Sequence, residues 1–99
     1  MPHGGTVYIL ANRHHTTLYV GVTSEIHYRL RQHLEKEDPK SFTARYNLNK
    51  LVYFEHLDHI ESAIQREKFI KGKSRKWKVE LIESKNPQWK DLGPEILEW

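Results

Sequence analysis

Hydrophobic positions along the chain change period several times, and each change marks an element. Residues 6–11 (Thr-Val-Tyr-Ile-Leu-Ala) and 18–22 (Leu-Tyr-Val-Gly-Val) are apolar runs rich in β-branched and aromatic residues. Turn formers bound both, which predicts two strands. The connection over residues 12–17 is short enough for a hairpin. The period then lengthens: Ile26, Leu30 and Leu34 recur every four residues and predict a helix with one buried stripe. Ser24 suits its cap and Glu25 its first turn. Residues 35–40 are charged and contain Pro39, which predicts a loop. Ser41 can cap a short helical turn over 41–47. Residues 51–57 read as a third strand, which Leu48 can extend at its start.

Asp58 and Glu61 have capping-box spacing, so a helix is expected to begin near His59. Its apolar residues are Ile60, Ala63, Ile64 and Ile70. Gly72 suits its end. Ser74 can cap a further helix with Trp77 and Leu81 facing inward, and Trp89 is expected in the core. Residues 93–99 are acidic and apolar by turns, without a readable period. The expected fold class is α+β: a small three-stranded antiparallel sheet flanked by helices. A chain of 99 residues suits a single domain, with its core over about residues 6–92.

Composition narrows this picture. There is no cysteine, which excludes disulfides and thiolate zinc sites and fits a reducing, cytoplasmic setting. No run approaches the ~20 apolar residues of a membrane helix, so no membrane association is expected. The formal charge of +3 and pI near 9.2 permit nucleic acid as a partner without requiring it.

The candidate chemistry lies on the first hairpin and two helices. Side chains alternate along a strand, so Tyr8 and Leu10 share a face, as do Tyr19 and Gly21. Pairing Tyr8 with Tyr19 or with Gly21 puts both hydroxyls on one side, and Gly21 is expected to leave a gap for a ligand backbone. Arg29 and His33 are four apart and share a helix face adjoining Ile26. Glu67 falls within ~20° of Ile60 on the next long helix, inside its apolar stripe. A carboxylate there needs a partner. An ion pair, with Arg29 as one option, and a bound metal are both open. From Arg66 to Lys78 the bases are Arg66, Lys68, Lys71, Lys73, Arg75, Lys76 and Lys78, with Glu67 the only acid. Such a run is either a solvated face or a phosphate-attracting surface.

Residues 6–8 (Thr-Val-Tyr) and 19–21 (Tyr-Val-Gly), followed by Arg29 and Glu67, resemble the signature of the GIY-YIG nuclease superfamily. Within it the chain looks most similar to small stand-alone bacterial proteins related to the N-terminal nuclease domain of the excision-repair nuclease. The resemblance runs from about Thr6 to Leu92. It implies a divalent-metal-dependent endonuclease that cleaves DNA phosphodiester bonds in repair or recombination. It implies Glu67 as the ligand of Mg²⁺ or Mn²⁺, in a segment resembling Arg66-Glu67-Lys68. Mg²⁺ keeps several waters, so one carboxylate is chemically sufficient. Tyr8 is the implied general base and Tyr19 positions water or phosphate. Arg29 stabilises transition-state charge. His33 is an alternative proton acceptor. Free tyrosine has a pKa near 10, so the site is expected to lower it through the metal, Arg29 and His33. Lys71, Lys73, Arg75, Lys76 and Arg45 are the expected DNA contacts, and Asn86 matches a late asparagine near the site of some relatives. Thr6 replaces the first glycine of the signature, and Val22 stands where the excision-repair relatives have lysine.

Two other classes fit the same residues. One is a nucleic-acid-binding module in which Tyr8 and Tyr19 form a stacking platform beside a basic helix. The other is a protein-interaction domain using Trp99 and the acidic tail.

Overall fold

The computed structural model describes residues 4–35 and 40–97. The two apolar runs form β1 (Gly5–Ala11) and β2 (Leu18–Thr23), and β3 is Lys50–Leu57. The sheet is antiparallel throughout, in the order β2-β1-β3. Tyr8 pairs with Gly21 and Leu10 with Tyr19, so the second of the two expected registers is realised. The helices are α1 (Ile26–Glu35), α2 (Phe42–Arg45), α3 (Ile60–Lys71), α4 (Arg75–Lys85) and α5 (Gly93–Leu97).

The sheet divides two cores. On one face Val7, Ile9 and Val20 pack with Ala63 and Ile70 of α3 and Ile82 of α4. On the other, Tyr8, Leu10 and Leu51 pack with Leu30 of α1 and Ile96 of α5. Gly5 lets α3 approach β1, because a Cβ there would lie 2.6 Å from that of Ala63. β1 is the central strand and buried on both faces, which accounts for its unbroken apolar run.

Most helix signals stand at the right places, though not always with the right residue. Ser41 and Ser74 accept from the backbone N–H of Ala44 and Trp77, as capping requires. The Asp58–Glu61 capping box does not form: the cap of α3 is His59, without a side-chain cap bond. Helix α1 starts at Ile26, one residue after Glu25, whose N–H donates to the Thr23 hydroxyl. Gly72 does end α3, in a right-handed conformation any residue could adopt. Ile64 is 38% exposed and leaves the expected stripe, whereas Ile82, outside it, is fully buried. The side chain of Leu34, most of the 35–40 loop and Trp99 lie outside the described residues.

Two features had no signal in the periodicity. The register of β3 shifts between Ile9 and Leu10, leaving Val52 without a partner on β1. Val52 and Tyr53 consequently face the same core, as a bulge allows. Asn86 answers this irregularity. Its side-chain amide donates to the carbonyls of Val52 and Lys90, and its Oδ1 accepts from the Lys90 N–H. Residues beyond it fold back along β3: Leu92 N–H donates to the Leu51 carbonyl, and Asp91 accepts from the N–H groups of Leu51 and Gly93. The tail without a readable period thereby becomes α5, with Ile96 buried against Leu30.

Asn86 therefore has a structural role in closing this end of the fold. Asn86→Ala strands buried backbone groups and should lower stability by about 2–3 kcal/mol. A urea midpoint that falls at unchanged slope checks this.

Candidate active site

Tyr8 is the centre of the site. Its ring is 1% exposed and lies directly over Gly21. A Cβ on Gly21 would fall 2.5 Å from the Tyr8 hydroxyl oxygen and nearer still to the ring carbon bearing it. The gap expected at Gly21 is thus filled by the protein's own phenol, and no ligand backbone can enter it. A fully buried Tyr8 also cannot stack on a nucleobase, which removes the platform of two tyrosines.

A buried hydroxyl needs a partner. Tyr8 finds His33 of α1, with 3.2 Å between the hydroxyl and Nε2. Tyr19, two residues before Gly21, completes a three-ring group: its ring centroid lies 6.3 Å from that of Tyr8 and 6.0 Å from that of His33. One turn earlier on α1, Arg29 lies against both phenols. Hydrogen bonding to Tyr8, and more weakly to Tyr19, raises the guanidinium pKa further. Its Nη1 also donates to the Gln32 amide oxygen at 3.2 Å.

Glu67 reaches this group from α3. Its side chain is 13% exposed, and its charge is felt at Tyr8. The partner is not Arg29: Glu67 pairs with Lys71 one turn on, at 3.3 Å, and Lys71 also lies 5.9 Å from the Tyr19 ring centroid. The structure therefore brings together Tyr8, Tyr19, Arg29, His33 and Glu67.

The electrostatics differ from the expectation in two respects. Burial raises the pKa of Tyr8; hydrogen bonding from Arg29 opposes this but is the smaller effect. His33 contributes no positive charge at neutral pH. Burial, reinforced by Arg29, lowers its pKa to about 4. The pair is a neutral phenol and a neutral imidazole, and in the Nδ1–H tautomer His33 Nε2 accepts from the Tyr8 hydroxyl.

Among the described residues no three His, Asp or Glu side chains gather into a metal cage. The donor set still suits a cation. Glu67 is a nearly buried carboxylate already holding one positive charge, the more exposed Lys71 ammonium. A hydrated divalent ion, needing few protein ligands, fits that position in exchange for Lys71.

The basic run is not one track. Arg66 binds Glu55 of β3 at 2.6 Å, and Lys71 is held by Glu67. Lys73 lies over the rings of Phe69 and Trp77, at 4.4 and 5.7 Å. Arg75 donates to the carbonyls of His15 and Thr16, tying α4 to the β1–β2 loop. Lys76 is exposed on α4, and Arg45 is exposed at the end of α2. Phe42, which carries no site signal in the sequence, is a further neighbour: its ring lies 6.1 Å from that of Tyr19.

A three-stranded antiparallel sheet whose two neighbouring tyrosines, one on each strand of the first hairpin, meet an arginine, a histidine and a glutamate defines a known class of domain. Residues 4–80 match the GIY-YIG catalytic domain, and the chain belongs to that family. Its similar proteins are small bacterial ones. It is 37% identical to a UPF0213 protein of Syntrophus aciditrophicus over 72 residues, 73% of this chain and 82% of that protein. It is 34% identical over 90 residues to a UPF0213 protein of Clostridium perfringens, covering 91% and 95% of the two chains. The solution NMR structure of a UPF0213 protein from Bacillus halodurans superposes with a TM-score of 0.57 at 25% identity, covering 89% of this chain and 92% of that one.

The depressed His33 pKa makes a thermodynamic prediction. Unfolding restores the ordinary value near 6.5, so below that pH the unfolded chain binds a proton the folded one does not. His33 therefore contributes stability that is complete above about pH 6.5 and is lost as pH falls toward about 4. The loss should reach roughly 3 kcal/mol at 1.36 kcal/mol per unit. Comparing His33→Gln with wild type across this window isolates it, because the other titrating groups are shared.

Proposed function

We propose that this protein is a divalent-metal-dependent endonuclease that cleaves DNA phosphodiester bonds. The observation that carries the reading is the convergence of Arg29, the Tyr8–His33 pair and Glu67 from three separate elements. A structural role alone does not call for an arginine against two phenols with a carboxylate opposite.

Arg29 grips a non-bridging phosphate oxygen and stabilises the charge that develops during attack. Tyr19, partly exposed, orients the phosphate or the attacking water. Tyr8 is the general base, and His33 holds its hydroxyl through Nε2. Glu67 holds the metal, with Mg²⁺ or Mn²⁺ the expected ion. A divalent cation held by Glu67 would supply positive charge to the phosphodiester and, since the charge of Glu67 is felt at Tyr8, to that phenol. That charge matters because burial raises the Tyr8 pKa in the protein alone, and a cation nearby acts in the opposite direction. Arg45 and Lys76, both exposed, are the proposed backbone contacts on the DNA. Lys71, Lys73 and Arg75 act by placing site and loop side chains, and Lys71, being the more exposed partner, is the group a cation at Glu67 would replace.

Two substitutions test the reading. Arg29→Ala should keep the fold and slow cleavage by about 10²–10³, the cost of losing one charge-stabilising donor. Glu67→Gln should leave the metal-free protein about as stable as wild type, because Lys71 is exposed and is not stranded in a dry interior. Cleavage should disappear, and Mg²⁺ should no longer raise the melting temperature. A large loss of stability with and without metal would instead make Glu67 structural.

A further inference from the structure

An aromatic path leaves the candidate site along the surface. From Tyr8 it runs to Tyr19, then to Phe42 at 6.1 Å, then to Tyr46, whose ring centroid lies 4.6 Å from that of Phe42. The buried end is Tyr8; at the other end Phe42 and Tyr46 are 48% and 47% exposed. Neighbouring exposed aromatics are poor packing and good contact surface.

The path ends in a cleft. A cavity of about 340 Å³ lies between the β1–β2 loop and the connection from α2 to β3. Its walls are Tyr46, Asn47 and Asn49 on one side and Asn12, Arg13 and His14 on the other. The volume falls within the roughly 300–1,000 Å³ of ligand pockets. Among the described residues no carboxylate lines it.

Its loop wall is fixed in advance. Asn12 Oδ1 accepts from the N–H groups of Thr16 and Thr17. His15 stacks on Trp89 with 4.4 Å between centroids, its Nε2 meets Lys50 Nζ at 2.9 Å, and Arg75 holds the loop carbonyls. A loop held at these points presents Arg13 and His14 to solvent without further ordering of its backbone. The chemistry assembled is an aromatic face, amides and a guanidinium, which together suit a base with its phosphate.

We propose that this cleft binds an unpaired nucleotide of the DNA strand being cut, with its base on Tyr46, its edge at Asn49 and its phosphate at Arg13. This rests on the nuclease reading and gives its substrate class: DNA with single-stranded nucleotides beside the scissile bond. Bases inside a duplex are stacked on each other and cannot occupy such a cleft without being extruded.

Fluorescence anisotropy in the presence of chelator tests it without cleavage, using a labelled single strand, the matching duplex and a duplex carrying a single-stranded flap. Wild type should bind the single strand and the flap more tightly than the duplex. Tyr46→Ala should weaken those two about tenfold, as loss of one base–aromatic stack does, with little change on duplex. Tyr46→Phe should keep wild-type affinity, and Asn49→Ala should lose about threefold. Equal losses on all three DNAs, no effect of Tyr46→Ala, or a preference for duplex would overturn the proposal. So would displacement by a free deoxynucleoside monophosphate as efficient as by the strand, which would mark a mononucleotide site. The nuclease reading fails separately: a protein that cuts nothing but keeps the Tyr46-dependent preference retains this cleft, and one that cuts all three DNAs alike without Tyr46 dependence loses only the cleft.

Discussion

The placement of one phenol over one glycine fixes most of this site. Tyr8 lies flat on the sheet because Gly21, directly across the ladder, has no side chain. Burying that ring leaves its hydroxyl in need of a partner, and α1 supplies one in His33. His33 then sets the rotation of α1, and Arg29, one turn earlier, faces the same two tyrosines. The same burial determines the protonation states: it keeps Tyr8 a neutral phenol and His33 a neutral imidazole. Geometry and electrostatics therefore have a single cause.

The strands and the site constellation were legible because each depends on a short-range pattern. The alternation in residues 6–11 and 18–22 sets the faces of Tyr8 and Tyr19, and four-residue spacing sets the shared face of Arg29 and His33. What escaped depends on packing between distant segments. Nothing local announces that Tyr8 would fill the space at Gly21. The bulge at Val52 is specified by Asn86, 34 positions away. Helix α5 is five residues long, too short to display a period, and it exists because Ile96 and Leu97 cover Leu30 and Leu51. Ile64 fits the helical wheel but lies outside the core.

Charge was the least legible property. A run of seven bases reads as one surface, yet the chain breaks it between two helices and points its members in different directions. Arg66 joins α3 to β3, Arg75 joins α4 to the hairpin loop, and Lys71 neutralises Glu67. A cation paired with a carboxylate, as Arg66 and Lys71 are, adds little to the attraction of a distant polyanion, whereas Arg75, held by neutral carbonyls, keeps its charge but not its freedom. On the proposed function, recognition would then depend on a few well-placed groups near the aromatic path more than on a broad basic field.

The unpaired Val52 divides β3 into two phases. Downstream of it Tyr53 faces the α3–α4 core and Phe54 the α1–α5 core; upstream Leu51 faces the α1–α5 core. If the strand ran straight through this extra residue, with no bulge, its two halves would be out of step with one another. In that sense the bulge absorbs an inserted letter without losing the reading frame: a straight strand of the same length would turn every side chain before it to the opposite side, moving Leu51 away from Ile96 and Lys50 away from the hairpin loop it contacts through His15, whereas a strand lacking Val52 would keep Leu51 opposite Leu10 and Tyr53 opposite Ile9. Homologous chains that lack the extra residue should accordingly keep the equivalents of Leu51 and Tyr53 in the same two cores.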